Sequence, residues 1–118
     1  MVNPTISVDL KEEGSKLLRI DVEFEQKGDE EHNDGSTDLV IKKIIITGDF
    51  FVHPEDLIPK IEEELKGVRA REEELLRVIN GVIDKTKELE GQKQEVKLVG
   101  LTPEMIVKAI MKAGDKVK

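Results

Sequence analysis

Histidine chemistry is the first possibility to weigh, because imidazole is the most common general base in enzymes. The chain has two histidines, His32 within an acidic run and His53 directly before Pro54. An apolar strand separates them, and neither stands beside a nucleophile or a second acid or base that would complete a catalytic pair. We therefore expect no catalytic residue in this chain, and we expect His53 to lie at the surface where a helix begins.

Metal binding would require clustered ligands, and the acidic run supplies several oxygen-bearing side chains. These are Asp29, Glu31, Asn33 and Asp34. The spacing does not match a calcium loop, because a start at Asp29 puts Asp34 at the obligatory glycine, and a start at Glu30 puts Ile41 at the bidentate acid. Cysteine is absent as well, so sulfur-held sites are excluded. We expect no metal site, and we predict that residues 27–37 form an acidic mobile loop.

Anion binding is suggested by Lys66, Arg69 and Arg71, which could approach a phosphate or a carboxylate on a partner. Glutamates stand on both sides of this basic group, so a charge-balanced helix entry is the favoured interpretation. The chain has 19 Lys and Arg against 26 Asp and Glu, which gives a net charge of -7. This sign disfavours nucleic acid and anionic membranes as partners. Because no glycine-rich phosphate loop is present, we expect no ATP site in this chain.

The length of 118 residues suits a single domain, which we place over residues 1–118. Its core must be aliphatic, because the chain has three Phe and neither Trp nor Tyr. Apolar stretches fall short of the roughly 20 residues that cross a bilayer. Met1–Asp9 lacks the basic and apolar regions of a signal peptide. We therefore predict a cytoplasmic protein.

Three segments alternate apolar and polar residues with the period of a half-buried strand. They are Thr5–Leu10, Leu18–Glu25 and Leu39–Thr47. Lys42 and Lys43 interrupt the third, which indicates either a β-bulge or a strand partly covered on both faces. Ile45 then points away from its two isoleucine neighbours. It is either an ordinary strand residue beneath a loop, which is the favoured interpretation, or part of a covered surface.

Helical periodicity follows in three further segments. The first begins near Asp56, which we expect to cap it, and ends at Gly67. The second runs from about Ala70 to the mid-eighties. The third begins at Thr102, where a hydroxyl cap is followed by proline and an acid, and it ends at Gly114.

The order of strands followed by helices favours a two-layer α+β domain. We predict a small antiparallel meander sheet with about three helices packed on one face. Residues 115–118 would form a frayed tail after the last helix.

The strand that contains Ile45 stops at Gly48 and Asp49, and two of the chain's three phenylalanines follow. Gly48 should permit a positive φ or a close backbone approach, and Asp49 could accept hydrogen bonds from the amides that follow. Phe50 and Phe51 cannot both face one core if the chain is extended there. One ring is then left for another surface, so we predict a partner interface that includes Ile45, Gly48, Asp49, Phe50 and Phe51.

Several motifs of the chain occur in the same order in a known family. They are Val40-Ile41-Lys42-Lys43-Ile44, Thr47-Gly48-Asp49-Phe50-Phe51, Pro54-Glu55-Asp56, Leu65-Lys66-Gly67 and Gly100-Leu101-Thr102-Pro103-Glu104-Met105. From Leu39 to Gly114 the chain thereby resembles the C-terminal accessory domain of lipoate–protein ligases. Some organisms make this domain as a separate small subunit beside a larger catalytic chain. Its fold is similar to that of iron–sulfur scaffold proteins, but those work through cysteines, which this chain lacks.

The resemblance implies a division of labour between two chains. In this family the large domain binds lipoate and ATP with magnesium, makes lipoyl-AMP, and passes the lipoyl group to a lysine of a lipoyl acceptor domain. The small domain is needed chiefly for the adenylation step and contributes no established catalytic side chain. The resemblance therefore implies an accessory ligase subunit that binds no cofactor alone and forms a heterodimer with the large chain. The alternative is a free-standing interaction or regulatory module with the same fold and no ligase partner.

Overall fold

The computed structural model of the protein describes residues 5–27, 38–88 and 95–117. Strands form the first half of the chain and helices most of the second. In chain order the elements are β1 (Thr5–Leu10), β2 (Leu18–Lys27), β3 (Asp38–Gly48), β4 (Phe51–His53), α1 (Leu57–Leu65), α2 (Glu72–Lys87), β5 (Lys97–Val99) and α3 (Pro103–Val117).

The first three strands form an antiparallel meander sheet in the order β1, β2, β3. Val8 lies opposite Ile20, and Ile20 lies opposite Ile46, so the apolar positions of all three strands share one face. The other face is polar and carries an ion pair between Arg19 and Asp9, with Nε and Oδ1 3.1 Å apart. The sheet is therefore buried on one face only, as its alternating sequence predicts.

The lysine pair in β3 produces a β-bulge, which settles the alternatives left open by the sequence. Glu23 of β2 lies opposite Lys43, whereas the next residue, Phe24, lies opposite Ile41. Lys42 is therefore the extra residue, and both lysines are exposed. Because the bulge reverses the alternation, the isoleucines before and after it both point into the core.

The three helices cover the apolar face of the sheet. The last helix, α3, packs across β1 and β2, α1 packs along β3, and α2 packs against the other two helices. One continuous aliphatic core results. Its fully buried side chains include Leu18, Ile20, Ile41, Leu57, Ile61, Leu65, Leu75, Ile79, Ile106 and Ile110. This arrangement is a two-layer α+β domain and confirms the predicted fold class.

The two helix starts that the sequence singled out behave differently. Before α3, the hydroxyl oxygen of Thr102 accepts a hydrogen bond from the N–H of Met105 at 3.1 Å, and Pro103 is the first helical residue. This cap was predicted correctly. Asp56 precedes α1 but makes no side-chain capping hydrogen bond. The predicted cap was wrong because the carboxylate of Asp56 pairs instead with Lys60 one turn later, at 3.3 Å.

The predicted helix ends also have different outcomes. Gly67 follows the last turn of α1 with a φ of 84°, which glycine adopts readily. By contrast, α3 does not end at Gly114 but continues to Val117, so residues 115–117 are helical rather than frayed. Gly114 is buried, and a Cβ there would lie 3.7 Å from Leu39 Cδ1. The packing of α3 against the core therefore carries the helix past a residue that commonly ends one.

A second, two-stranded sheet was not predicted. The strands β4 and β5 pair antiparallel, with Phe51 opposite Val99. Their middle residues, Val52 and Leu98, pack against the core. The sequence instead predicts that the segment before Pro54 leads directly into a helix. No sequence signal indicates this sheet, because a three-residue strand is too short to show a period and its partner strand is distant in the sequence.

Candidate partner interface

Gly48 ends β3 at a point where another segment crosses it closely. It has a φ of 154°. A Cβ at this position would collide with the carbonyl oxygen of Leu17 and would approach the ring of Phe50 to 3.0 Å. Both predicted reasons for a glycine here, a positive φ and a close backbone approach, are therefore confirmed.

The exit from β3 is fixed by the backbone of Asp49 rather than by its side chain. The N–H of Asp49 donates to the carbonyl oxygen of Leu17 at 3.0 Å. The side chain is exposed, and the predicted hydrogen bonds from the following amides to its carboxylate are not found within the described ranges. Because Leu17 directly precedes β2, this bond ties the start of β2 to the end of β3.

The two phenylalanines face different environments, as the sequence predicted. Phe50 is half-buried and packs against the core. Phe51 is 59% exposed and is the most exposed large apolar side chain in the described part of the protein. Phe50 therefore contributes to the fold, and the ring of Phe51 is available to another surface.

Ile45 lies on the polar face of the sheet, opposite Asp21 of β2, and is 42% exposed. A shallow pocket of about 70 Å³ lies beside it and is lined also by Thr5, Glu23 and Lys43. Ile45 is thus a single apolar side chain among charged and polar ones, and no described segment covers it.

Backbone contacts bring the segments that carry three exposed apolar residues close together. Phe51 and Val99 are cross-strand neighbours on β4 and β5. The next residue, Gly100, accepts a hydrogen bond at its carbonyl from the N–H of Lys16, at 3.1 Å. Leu17 therefore lies between the exit from β3 and the exit from β5. Val99 is 52% exposed and Leu17 is 38% exposed, and we name Leu17, Phe51 and Val99 the end patch.

Sequence reasoning did not identify Leu17 or Val99 as candidates. A signal for Leu17 existed, because Leu17 and Leu18 are adjacent and successive strand residues point to opposite faces. No comparable signal existed for Val99, since its exposure depends on the pairing of β5 with β4.

The remaining candidates for catalysis or metal binding are the two histidines and the acidic run. His53 is exposed at the end of β4, as predicted, and His32 lies outside the described residues together with residues 28–37 of the predicted acidic loop. Within the described ranges, no group of three or more His, Asp and Glu side chains could hold a metal ion. Every buried polar side-chain atom in that part of the chain has a hydrogen-bond partner. No described helix is both long and apolar enough to cross a bilayer.

The predicted basic group fits its charge-balanced interpretation. Lys66 pairs with Glu63 across one helical turn, with Nζ and Oε2 3.0 Å apart. Arg69 and Arg71 also have interaction partners. Solvent-exposed pairs of this kind stabilise a fold only weakly.

A comparison with known families identifies the chain. Residues 20–101 match the family model described as the bacterial lipoate protein ligase C-terminus. The match runs from β2 through β5 and includes Gly48, Phe50 and Phe51. The chain belongs to this family.

A solved structure from Thermoplasma acidophilum is similar over most of both chains. It belongs to a structural analysis of an archaeal lipoylation system, a bi-partite lipoate protein ligase and its E2 lipoyl domain. The identity is 26% and the TM-score 0.56, with 92% of this chain and 97% of the matched chain covered. A search of curated proteins found no match.

Proposed function

We propose that this chain is the accessory, non-catalytic subunit of a two-chain lipoate–protein ligase. In this proposal a large catalytic chain binds lipoate and ATP with magnesium. The large chain forms lipoyl-AMP efficiently only when this chain is bound to it. The lipoyl group then passes to a lysine of a lipoyl acceptor domain. We place the heterodimer in the cytoplasm.

The observation that supports the proposal is the family match over residues 20–101, together with the likeness to a chain from the archaeal system of a bi-partite lipoate protein ligase. One comparison rests on sequence pattern and the other on backbone shape. Both lead to lipoate ligation, and the second leads to a ligase made of two chains.

The proposed contribution of this chain is positional. A bound accessory domain can order the groups around two reactants, and it can exclude water from a reactive acyl-adenylate. A body with one continuous core suits this role, because it presents a fixed surface to its partner.

The predicted interface residues would contribute to the contact in two ways, directly and indirectly. Ile45 and Phe51 expose apolar surface that a partner could bury, and the carboxylate of Asp49 is open to polar contacts. Gly48 and Phe50 would act indirectly, because Gly48 permits the close crossing at Leu17 and Phe50 packs beneath the exposed segment.

Reconstitution with the large chain encoded in the same genome tests the proposal. The readout is lipoate- and ATP-dependent labelling of a lipoyl acceptor domain by the large chain alone, by this chain alone, and by the mixture. We expect labelling at least about tenfold faster in the mixture, the equivalent of about 1.4 kcal/mol in the barrier. We also expect the two chains to co-elute on size exclusion. Equal rates with and without this chain would contradict the proposal, and absence of any complex would favour the free-standing module instead.

A further inference from the structure

We propose that the end patch is the anchor through which this chain docks on the large ligase chain. The inference rests on the proposed function and adds Leu17 and Val99 to the contact surface. Apart from Ile45, the end patch contains every exposed large apolar side chain in the described ranges. Single exposed apolar residues are ordinary on protein surfaces, whereas neighbouring ones mark interaction sites.

The end patch is built on a hydrogen-bonded backbone platform. The bonds from Lys16 N–H to Gly100 and from Asp49 N–H to Leu17 join three segments that are distant in the sequence. Gly100 has a φ of 78°, and a Cβ there would collide with the side chain of Lys16. Glycine therefore permits the close approach at this crossing as it does at Gly48. A surface that is already ordered loses little conformational entropy on binding, and affinity benefits.

The side chains of the end patch have the composition of a binding anchor. Phe51 and Val99 stand side by side on the outer face of the two-stranded sheet, while Val52 and Leu98 fix its other face to the core. Aromatic residues at the centre of an interface commonly contribute most of the binding energy, and surrounding contacts exclude water.

The large ligase chain is the occupant that the observations favour over a second copy of this chain. Each copy carries a net charge of -7, which opposes self-association. Three side chains also bury less than the roughly 800 Å² per partner of a stable interface. The end patch is therefore suited to be the centre of a broader contact with the large chain.

Family architecture supports the same occupant. The family is named for the C-terminus of a bacterial lipoate protein ligase, where the domain is part of a longer chain. The similar archaeal structure comes from a system with a bi-partite ligase. A covalent link holds a domain beside its partner at an effective concentration on the order of millimolar. Separate chains must replace that link with buried contacts, and the end patch offers the apolar surface for them.

Lysine substitutions in the full chain test the inference. Leu17→Lys and Val99→Lys each place a charge in the end patch, and Val99→Thr removes apolar surface while keeping the branched shape and the strand propensity. Asn80→Lys is the matched control, because it adds the same charge at an exposed position on α2. Thermal unfolding verifies that each variant is folded, and titration calorimetry with the wild-type large chain measures the affinity.

We expect the two end-patch lysines to raise the Kd by at least about tenfold, as for residues central to an interface. Val99→Thr should raise the Kd by less, and Asn80→Lys should bind like the wild type. At saturating concentrations of the lysine variants, the maximal rate of labelling should be restored, because the end patch serves docking and not chemistry.

The outcomes separate this inference from the proposed function. If the wild-type chain binds and activates, and the end-patch variants bind equally well, the inference is wrong and the proposed function stands with another contact surface. If the wild-type chain neither binds nor activates, the proposed function fails and the inference fails with it. A wild-type homodimer that Leu17→Lys and Val99→Lys both dissociate would assign the end patch to self-association, which also overturns the inference.

Discussion

At Gly48 the backbone meets two demands that glycine alone satisfies, a positive φ and contact with the carbonyl of Leu17. Gly48→Ala should therefore lower the free energy of unfolding by about 3 kcal/mol, because backbone strain and a steric collision add. Urea denaturation measures this loss from the transition midpoint and slope.

Gly14→Ala is the control for this prediction. Gly14 also has a positive φ, of 81°, but a Cβ there would meet nothing within 4 Å. Only backbone strain applies at Gly14, so we expect a loss of about 1 kcal/mol. Equal decreases in the free energy of unfolding for the two variants would show that the close contact with Leu17 adds nothing to the cost of a side chain at Gly48.

The two neighbouring phenylalanines should respond oppositely to truncation. Phe50→Ala removes a ring that packs against the core, so it should lower the free energy of unfolding by about 2 kcal/mol. Phe51→Ala should change it by less than about 0.5 kcal/mol, because this ring is mostly exposed. Chemical denaturation of both variants measures the difference. If Phe51→Ala is as destabilising as Phe50→Ala, both rings belong to the core and Phe51 is not a free contact residue.

Among the elements, β3 has its outer edge covered from two directions. The segment 67–70 bonds to Leu39 and Ile41, at distances of 2.7, 2.8 and 3.0 Å. Further along the strand, the Glu62 carboxylate of α1 accepts a hydrogen bond from the N–H of Ile46 at 2.7 Å. These contacts occupy backbone groups that an edge strand would otherwise offer to another chain. The coverage directs any partner away from this edge.

Removal of the Glu62 carboxylate should loosen β3 locally. Glu62→Ala should lower the free energy of unfolding by about 2 kcal/mol, since a charge-assisted hydrogen bond to a partly buried N–H is lost. The Ile46 amide should also exchange its hydrogen faster. Glu62→Gln should restore part of both effects, because its side-chain oxygen still accepts. An unchanged exchange rate at Ile46 in Glu62→Ala would contradict this assignment.

Local sequence signals predicted the elements whose stability is decided locally. Alternation predicted the three strands of the main sheet, the lysine pair predicted an interruption at Lys42, and the hydroxyl before a proline predicted the cap at Thr102. Two predictions about helix ends failed. One failure is local, because the carboxylate of Asp56 pairs with Lys60 one turn along the same helix. The other involves tertiary packing, because α3 continues past Gly114 where that residue is buried near Leu39.

The residues of the candidate site also fall into those that local sequence predicts and those that it does not. Gly48 and Phe51 were predictable because their roles follow from one short segment, in which a strand ends and two rings alternate. The proximity of the Leu17 and Val99 segments to Phe51 was not predictable, because it requires the pairing of β4 with β5 and the crossing at Gly100. Sequence patterns therefore located one part of the end patch, and the tertiary structure supplied the rest.

At the scale of the whole molecule, the protein is a two-layer body with an aliphatic core, a polar outer sheet face and an apolar end. Its surface is acidic on balance, with a net charge of -7. Such a body can position a partner's residues without taking part in bond formation. If the proposed function is correct, binding of this chain should change the rate of one step of the ligase reaction.

The most direct test measures the two half-reactions of the large chain separately. The first is lipoyl-AMP formation from lipoate and ATP with magnesium, which is monitored by the release of pyrophosphate. The second is transfer of the lipoyl group from supplied lipoyl-AMP to an acceptor domain. We predict that saturating amounts of this chain accelerate lipoyl-AMP formation by at least about tenfold and change the rate of transfer little. An unchanged rate of lipoyl-AMP formation, in the presence of a verified complex, would contradict the proposed function.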